Sequence, residues 1–159
     1  MVDFSRLSKY WYHWAPGMGG PPISVSTDCR DCQILFSTAD YSVHLGTEGS
    51  WWVVDTVDDR GYRRKGVGQL SNFDLAEKYL IWHWSATVFH KLGSGIFGTD
   101  SYRKGFAPEV ETSRVDTAYK LRVGQDCAIL RSVVQATIFS HFMSKPVNAI
   151  EESIRQHAE

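Results

Sequence analysis

Cys29-Arg30-Asp31-Cys32 places two thiols three residues apart, the spacing of a metal knuckle or a redox pair. A structural zinc site needs four ligands, usually from two such knuckles. Only Cys127 remains, with His44, His83, His90, His141 and His157 scattered along the chain. A redox pair opens a helix in a thioredoxin-like unit, whereas this pair precedes residues that read as a strand. The expectation is two ordinary free thiols, no metal and no cofactor. Gly93 to Gly98 spells G-x-G-x-x-G, but it follows a helical pattern and enters a loop. The dinucleotide fingerprint needs a strand before it and a helix after it, so a loop start is the better reading. His83 and His90 stand seven apart on an apolar helix, not at the i, i+4 spacing of a metal helix. No G-x-S-x-G elbow is present, and the carboxylate pairs Asp58-Asp59 and Glu151-Glu152 read as solvated groups. These residues supply no catalytic set, and the protein is not expected to be an enzyme.

The charge feature above background is basic and aromatic. Arg60, Arg63, Arg64 and Lys65 surround Tyr62, and Tyr102, Arg103 and Lys104 echo them further on. Cations beside aromatic rings suit phosphate-bearing ligands or an acidic protein face. The structural alternative is a solvated hairpin whose Arg and Lys guard a sheet edge.

These groups sit in a chain of 159 residues with 17 basic and 18 acidic side chains, a net charge of −1. The length fits one domain, taken as residues 1–159. Near-neutral charge argues against a surface built for nucleic acid or anionic lipid. Hydrophobic residues make up 43% and aromatics 13%, enough for a sizeable core. No apolar run is long enough for a signal peptide or a membrane span, and three cysteines do not suggest a disulfide framework. The expected location is the cytoplasm.

The elements that must position the basic groups follow from periodicity. Phe4, Leu7, Trp11 and Trp14 predict a helix ended by Pro16-Gly17. Four short strands then form a meander: one at Ile34 and Phe36, one at Tyr41 to Leu45, Trp51 to Val57, and Tyr62 to Leu70. Phe73 to Leu92 reads as a helix buried around much of its girth, with Ser71 and Asp74 as a capping box and Gly93 as its C-terminal cap. Gly93 to Arg114 reads as a long irregular loop. Val115 to Val123 and Cys127 to Val134 read as strands, and Ala136 to Met143 as a strand or short helix. Ser144 and Pro146 open a last helix with Val147, Ile150 and Ile154 inward. Strands arrive in runs, so the class is α+β with an antiparallel sheet packed by a long buried central helix.

This pattern resembles the immunity protein 61 family. The matching stretches are Leu7 to Ala15, Ile34 to Val57 with Trp51-Trp52, Asp74 to Leu80, the strand around Tyr119-Lys120-Leu121, and Phe139 to Met143 leading into Val147 to Ile154. The resemblance implies a bacterial antitoxin that is cytosolic and non-enzymatic. It would bind a cognate toxin domain, an NAD+ glycohydrolase, and occlude the active cleft. A cleft that accepts a dinucleotide suits anions, so Arg60, Tyr62, Arg63, Arg64, Lys65, Tyr102, Arg103 and Lys104 are the expected contacts. The rival reading is a small α+β ligand- or nucleotide-handling enzyme using His44 or His83 in a cleft.

Overall fold

Alternating apolar residues build an eight-stranded antiparallel sheet in the order β1-β2-β3-β4-β5-β8-β7-β6, in a computed structural model that describes residues 2–91 and 98–158. The strands are β1 (Ser24–Ser26), β2 (Ile34–Ser37), β3 (Ser42–Glu48), β4 (Trp51–Val57), β5 (Arg63–Leu70), β6 (Glu111–Val115), β7 (Ala118–Val123) and β8 (Asp126–Leu130). The helices are α1 (Ser5–Trp14), α2 (Phe73–Lys91), α3 (Thr99–Arg103), α4 (Val133–Ser140) and α5 (Val147–Ala158). The expected α+β class and the four-strand meander are observed.

One sheet face carries the core. Ile34, Phe36, Val43, Leu45, Val54, Leu70, Leu121, Ala128 and Leu130 are buried on it. The period of two sends their neighbours, among them His44 and Asp55, to the opposite face. Helix α2 is buried nearly all round, because α1, α5 and β5 pack on it. Trp84 joins three elements, with ring centroids 5.0 Å from both Trp11 of α1 and Phe36 of β2.

Several boundaries differ from the expectation. The alternating run from Val115 to Val123 is not one strand: Asp116 takes φ 55° and the chain reverses between β6 and β7. Part of the expected loop is therefore structured, as α3 and β6. Strand β8 ends at Leu130 because Ser132 caps α4, its side chain accepting from the Gln135 N–H. Asn72, not Ser71, caps α2: its Oδ1 accepts from the Leu75 N–H at 2.9 Å. Ser71 instead accepts from the Cys127 N–H at 2.8 Å, tying β8 to the start of α2. Strand β1 escaped the sequence reading, since three residues are too few to show a period. The Gly93 cap and most of the G-x-G-x-x-G motif lie outside the described residues.

Candidate functional site

The β4–β5 hairpin holds the basic cluster on a turn fixed by one carboxylate. Asp58 Oδ1 accepts from the backbone N–H groups of Arg60 and Tyr62, both at 3.0 Å. Gly61 takes φ +75°, a left-handed conformation glycine adopts without steric cost. Tyr62 is 63% exposed, and the Arg64 guanidinium lies 5.5 Å from its ring centroid. Arg60, Arg64 and Lys65 are exposed. The tip is thus a preformed cationic and aromatic projection.

Arg63 departs from the expectation of a free cation. Its Nε and Nη2 donate to Asp55 Oδ2 at 3.1 and 3.0 Å, and its Nη1 donates to Asp31 Oδ2 at 2.9 Å. Register explains the pairing. Thr56 pairs with Arg64 and Val54 with Gly68, so β5 bulges opposite Asp55. Gly66 within that bulge donates its N–H to Asp55 Oδ1 at 2.8 Å, and Asp55 holds both the bulge and the guanidinium. Burial opposes ionisation of Asp31, but the charge and hydrogen bond of Arg63 hold its carboxyl below the usual range. A groove of about 490 Å³ lies beside this network, lined by Asp31, Glu48, Asp55, Arg63, Lys65 and Arg131. Arg131 donates to the Lys65 carbonyl and so fixes one wall.

The second basic segment sits elsewhere. Tyr102 and Arg103 lie on α3, with Lys104 following, and all three are exposed. Helix α3 packs on α4, which in turn packs on β7 and β8. His141 holds the end of this segment through the Gly105 carbonyl at 2.7 Å. The hairpin and α3 therefore form two cationic surfaces carried by different elements.

Both histidines of the rival reading line cavities. His83 borders a space of about 380 Å³ with Asp40, Tyr41, Asp59 and Thr87. It stacks on Tyr79 at 5.3 Å, and burial pushes its pKa down to about 4. His44 pairs across the ladder with Asp55, and its Nε2 lies 3.1 Å from Ser42 Oγ. Burial, then the nearby Arg63 charge, lower its pKa against the opposing pull of Asp31 and Asp55.

The cysteine pair also departs from the expectation. Cys29 and Cys32 are joined as a disulfide, with Cα atoms 5.4 Å apart, while Cys127 is a buried free thiol. Gln33, next to Cys32, donates its N–H to the Leu45 carbonyl at 2.9 Å, which ties this end of the disulfide loop to β3. Asp31, Asp55 and Arg131 were not among the expected site residues. A lone Asp between β-branched residues in Val53-Val54-Asp55-Thr56 was the available signal for Asp55.

No family model matches the chain, and no curated protein matches it. The chain is similar to one solved structure, Rv3902c from M. tuberculosis, with a TM-score of 0.70 and 14% identity. The likeness covers 95% of this chain and 87% of that one, and shows a shared fold.

Proposed function

We propose that this chain is an immunity protein, a non-enzymatic binding domain that occludes the active cleft of a cognate toxin, an NAD+ glycohydrolase. The observation that carries the reading is the β4–β5 tip, where Arg60, Tyr62 and Arg64 project from a turn already pinned by Asp58. Arg and Tyr are the residues that most often anchor interfaces, and a fixed turn loses little entropy on binding. A cationic plug suits a cleft shaped for a pyrophosphate. The resemblance to the immunity protein 61 family supports the same reading.

The test mixes the purified chain with an NAD+ glycohydrolase toxin domain, chosen from a neighbouring reading frame if one is found. Expected are a one-to-one complex and stoichiometric loss of NAD+ hydrolysis, with no hydrolysis by the chain alone. Absence of a complex at micromolar concentrations would overturn the reading. The enzyme alternative draws on the cavity at His83, where Asp40 and Asp59 supply carboxylates. Nucleotide-dependent thermal stabilisation that is lost in His83→Ala would favour it.

A further inference from the structure

The loop before β2 and the outer face of β3 bring four metal-ligating side chains together: Cys29, Asp31, Cys32 and His44, with one potential ligand atom from each within 4.8 Å of the others. We propose that, once the Cys29–Cys32 disulfide is reduced, these four residues bind a single zinc ion, and that reoxidation expels it. The proposal does not rest on the toxin-binding reading.

His44 and Asp31 each have one polar atom held by an outer partner and the other turned toward the sulfurs. His44 places Nε2 3.1 Å from Ser42 Oγ, which leaves Nδ1 facing the cluster. Asp31 gives Oδ2 to Arg63 at 2.9 Å, which leaves Oδ1 facing inward. From that Oδ1, His44 Nδ1 is 3.7 Å away and Cys29 Sγ is 3.5 Å away. Cys32 Sγ lies 3.9 Å from His44 Nδ1. A tetrahedral zinc ion with bonds of about 2.0–2.3 Å sets its ligand atoms roughly 3.3–3.8 Å apart. These three cross-ligand spacings are therefore already close to those required, the four atoms lie within 4.8 Å of one another, and the bonded sulfurs must part. Outer partners of this kind are what orient metal ligands in zinc sites. Gly46 permits the arrangement, since a Cβ there would stand 3.3 Å from Cys32 Cα. A disulfide loop with a surface ion pair has no need for a histidine nitrogen and a carboxylate oxygen aimed at its sulfurs.

Two thiolates, one neutral imidazole and one carboxylate select zinc over hard cations such as calcium or magnesium. With zinc the cluster carries one net negative charge, and Arg63, which Asp31 shares with Asp55, lies beside it. The reaction balances with a dithiol reductant. Two electrons and two protons pass to the disulfide, giving two thiols, while the reductant becomes its own disulfide. Binding of Zn2+ then releases the two thiol protons. Oxidation by a two-electron acceptor reforms the sulfur–sulfur bond and frees the ion.

The experiment uses the untagged full chain under anaerobic conditions, reduced with a phosphine and titrated with Co2+ as the probe. Expected is one equivalent of cobalt giving thiolate-to-cobalt charge-transfer absorption and the visible bands of a tetrahedral site, both displaced by Zn2+. The oxidised chain should give neither. His44→Ala and Asp31→Asn should each weaken binding at least about tenfold. His44→Gln, which fills similar space, replaces His44→Ala if circular dichroism shows that the alanine variant is unfolded. Cobalt binding no stronger than in the Cys29→Ser/Cys32→Ser double variant overturns the proposal. So does full binding in a folded His44 variant, because the ligand set would then lie elsewhere.

Discussion

Arg63 donates two hydrogen bonds to a single oxygen of Asp55, while the other Asp55 oxygen holds the β5 bulge through the Gly66 N–H. The guanidinium is therefore a strut of the sheet's outer face and not a free contact. Removing it leaves a mostly buried carboxylate short of partners. Hydrogen bonds to charged groups are each worth about 1.5–3 kcal/mol, less where water reaches them. Arg63→Ala should thus lower the unfolding free energy by about 1–3 kcal/mol, read as a lower urea midpoint. Arg63→Lys should recover only part of this, since Lys lacks the planar fork. Arg60→Ala should stay within about 0.5 kcal/mol of the parent. An unchanged midpoint in Arg63→Ala would remove its structural role.

Trp84 tests the core. It is fully buried and touches Trp11 and Phe36. Trp84→Ala should cost about 3–5 kcal/mol, a large share of a total of roughly 5–15 kcal/mol. Trp84→Phe should cost less, because a ring remains against both neighbours. Thermal melts decide this: an unaltered melting temperature in the alanine variant would mean that Trp84 does not join α1, β2 and α2.

The pH dependence of stability should show His83. In the unfolded chain a histidine protonates near 6.5, whereas burial holds His83 to about 4. Between these values the unfolded chain binds more protons than the folded one. The contribution from His83 is therefore fully present above about pH 6.5 and is lost as pH falls toward 4. At about 1.4 kcal/mol for each unit the full shift would be worth roughly 3 kcal/mol, and the half-buried position of the ring beside a cavity reduces this to about 1–2 kcal/mol. Denaturant midpoints measured from pH 7 to 4 should fall less steeply in His83→Gln than in the parent. Parallel profiles would contradict the burial of this ring.

The fold was legible where period and punctuation agree. Strands β2 to β5 alternate cleanly and are separated by turn residues, and α2 is too apolar and too long to be anything but a core helix. The split of β6 from β7 was hidden, because Asp116 and Thr117 continue the alternation while the backbone turns back. The site was less legible for a related reason. Arg63 reads as one of four equivalent cations, and only the bulge opposite Asp55 separates its role from that of Arg64. His44 and the Cys29–Cys32 pair are 12 residues apart at their nearest, and they meet only because β2 and β3 pair in register. Spacing along a chain carries no sign of such a meeting.

Toxin binding should separate the tip from the strut. Arg60, Arg64 and Lys65 are exposed, and exposed charges contribute under about 1 kcal/mol each to stability. Replacing these three by Ser, with Arg63 kept, should preserve the circular dichroism spectrum and the melting temperature. If the tip enters an anion-accepting cleft, the truncated charges leave desolvated partners behind. That loss is about 2–5 kcal/mol, or roughly thirty- to several-thousand-fold in affinity. If the same residues lie at the rim, association slows and its salt dependence weakens, while dissociation hardly changes. Tyr62→Ala distinguishes the two placements, because an aromatic buried at the centre of an interface costs at least about 2 kcal/mol and one at the rim costs little. The measurement is toxin affinity and association rate at low and moderate salt for the parent, the triple variant and Tyr62→Ala. Parent-like affinity and salt slope in both variants would exclude the β4–β5 tip. The contact would then pass to Tyr102, Arg103 and Lys104, the cationic surface held separately by α3 against α4.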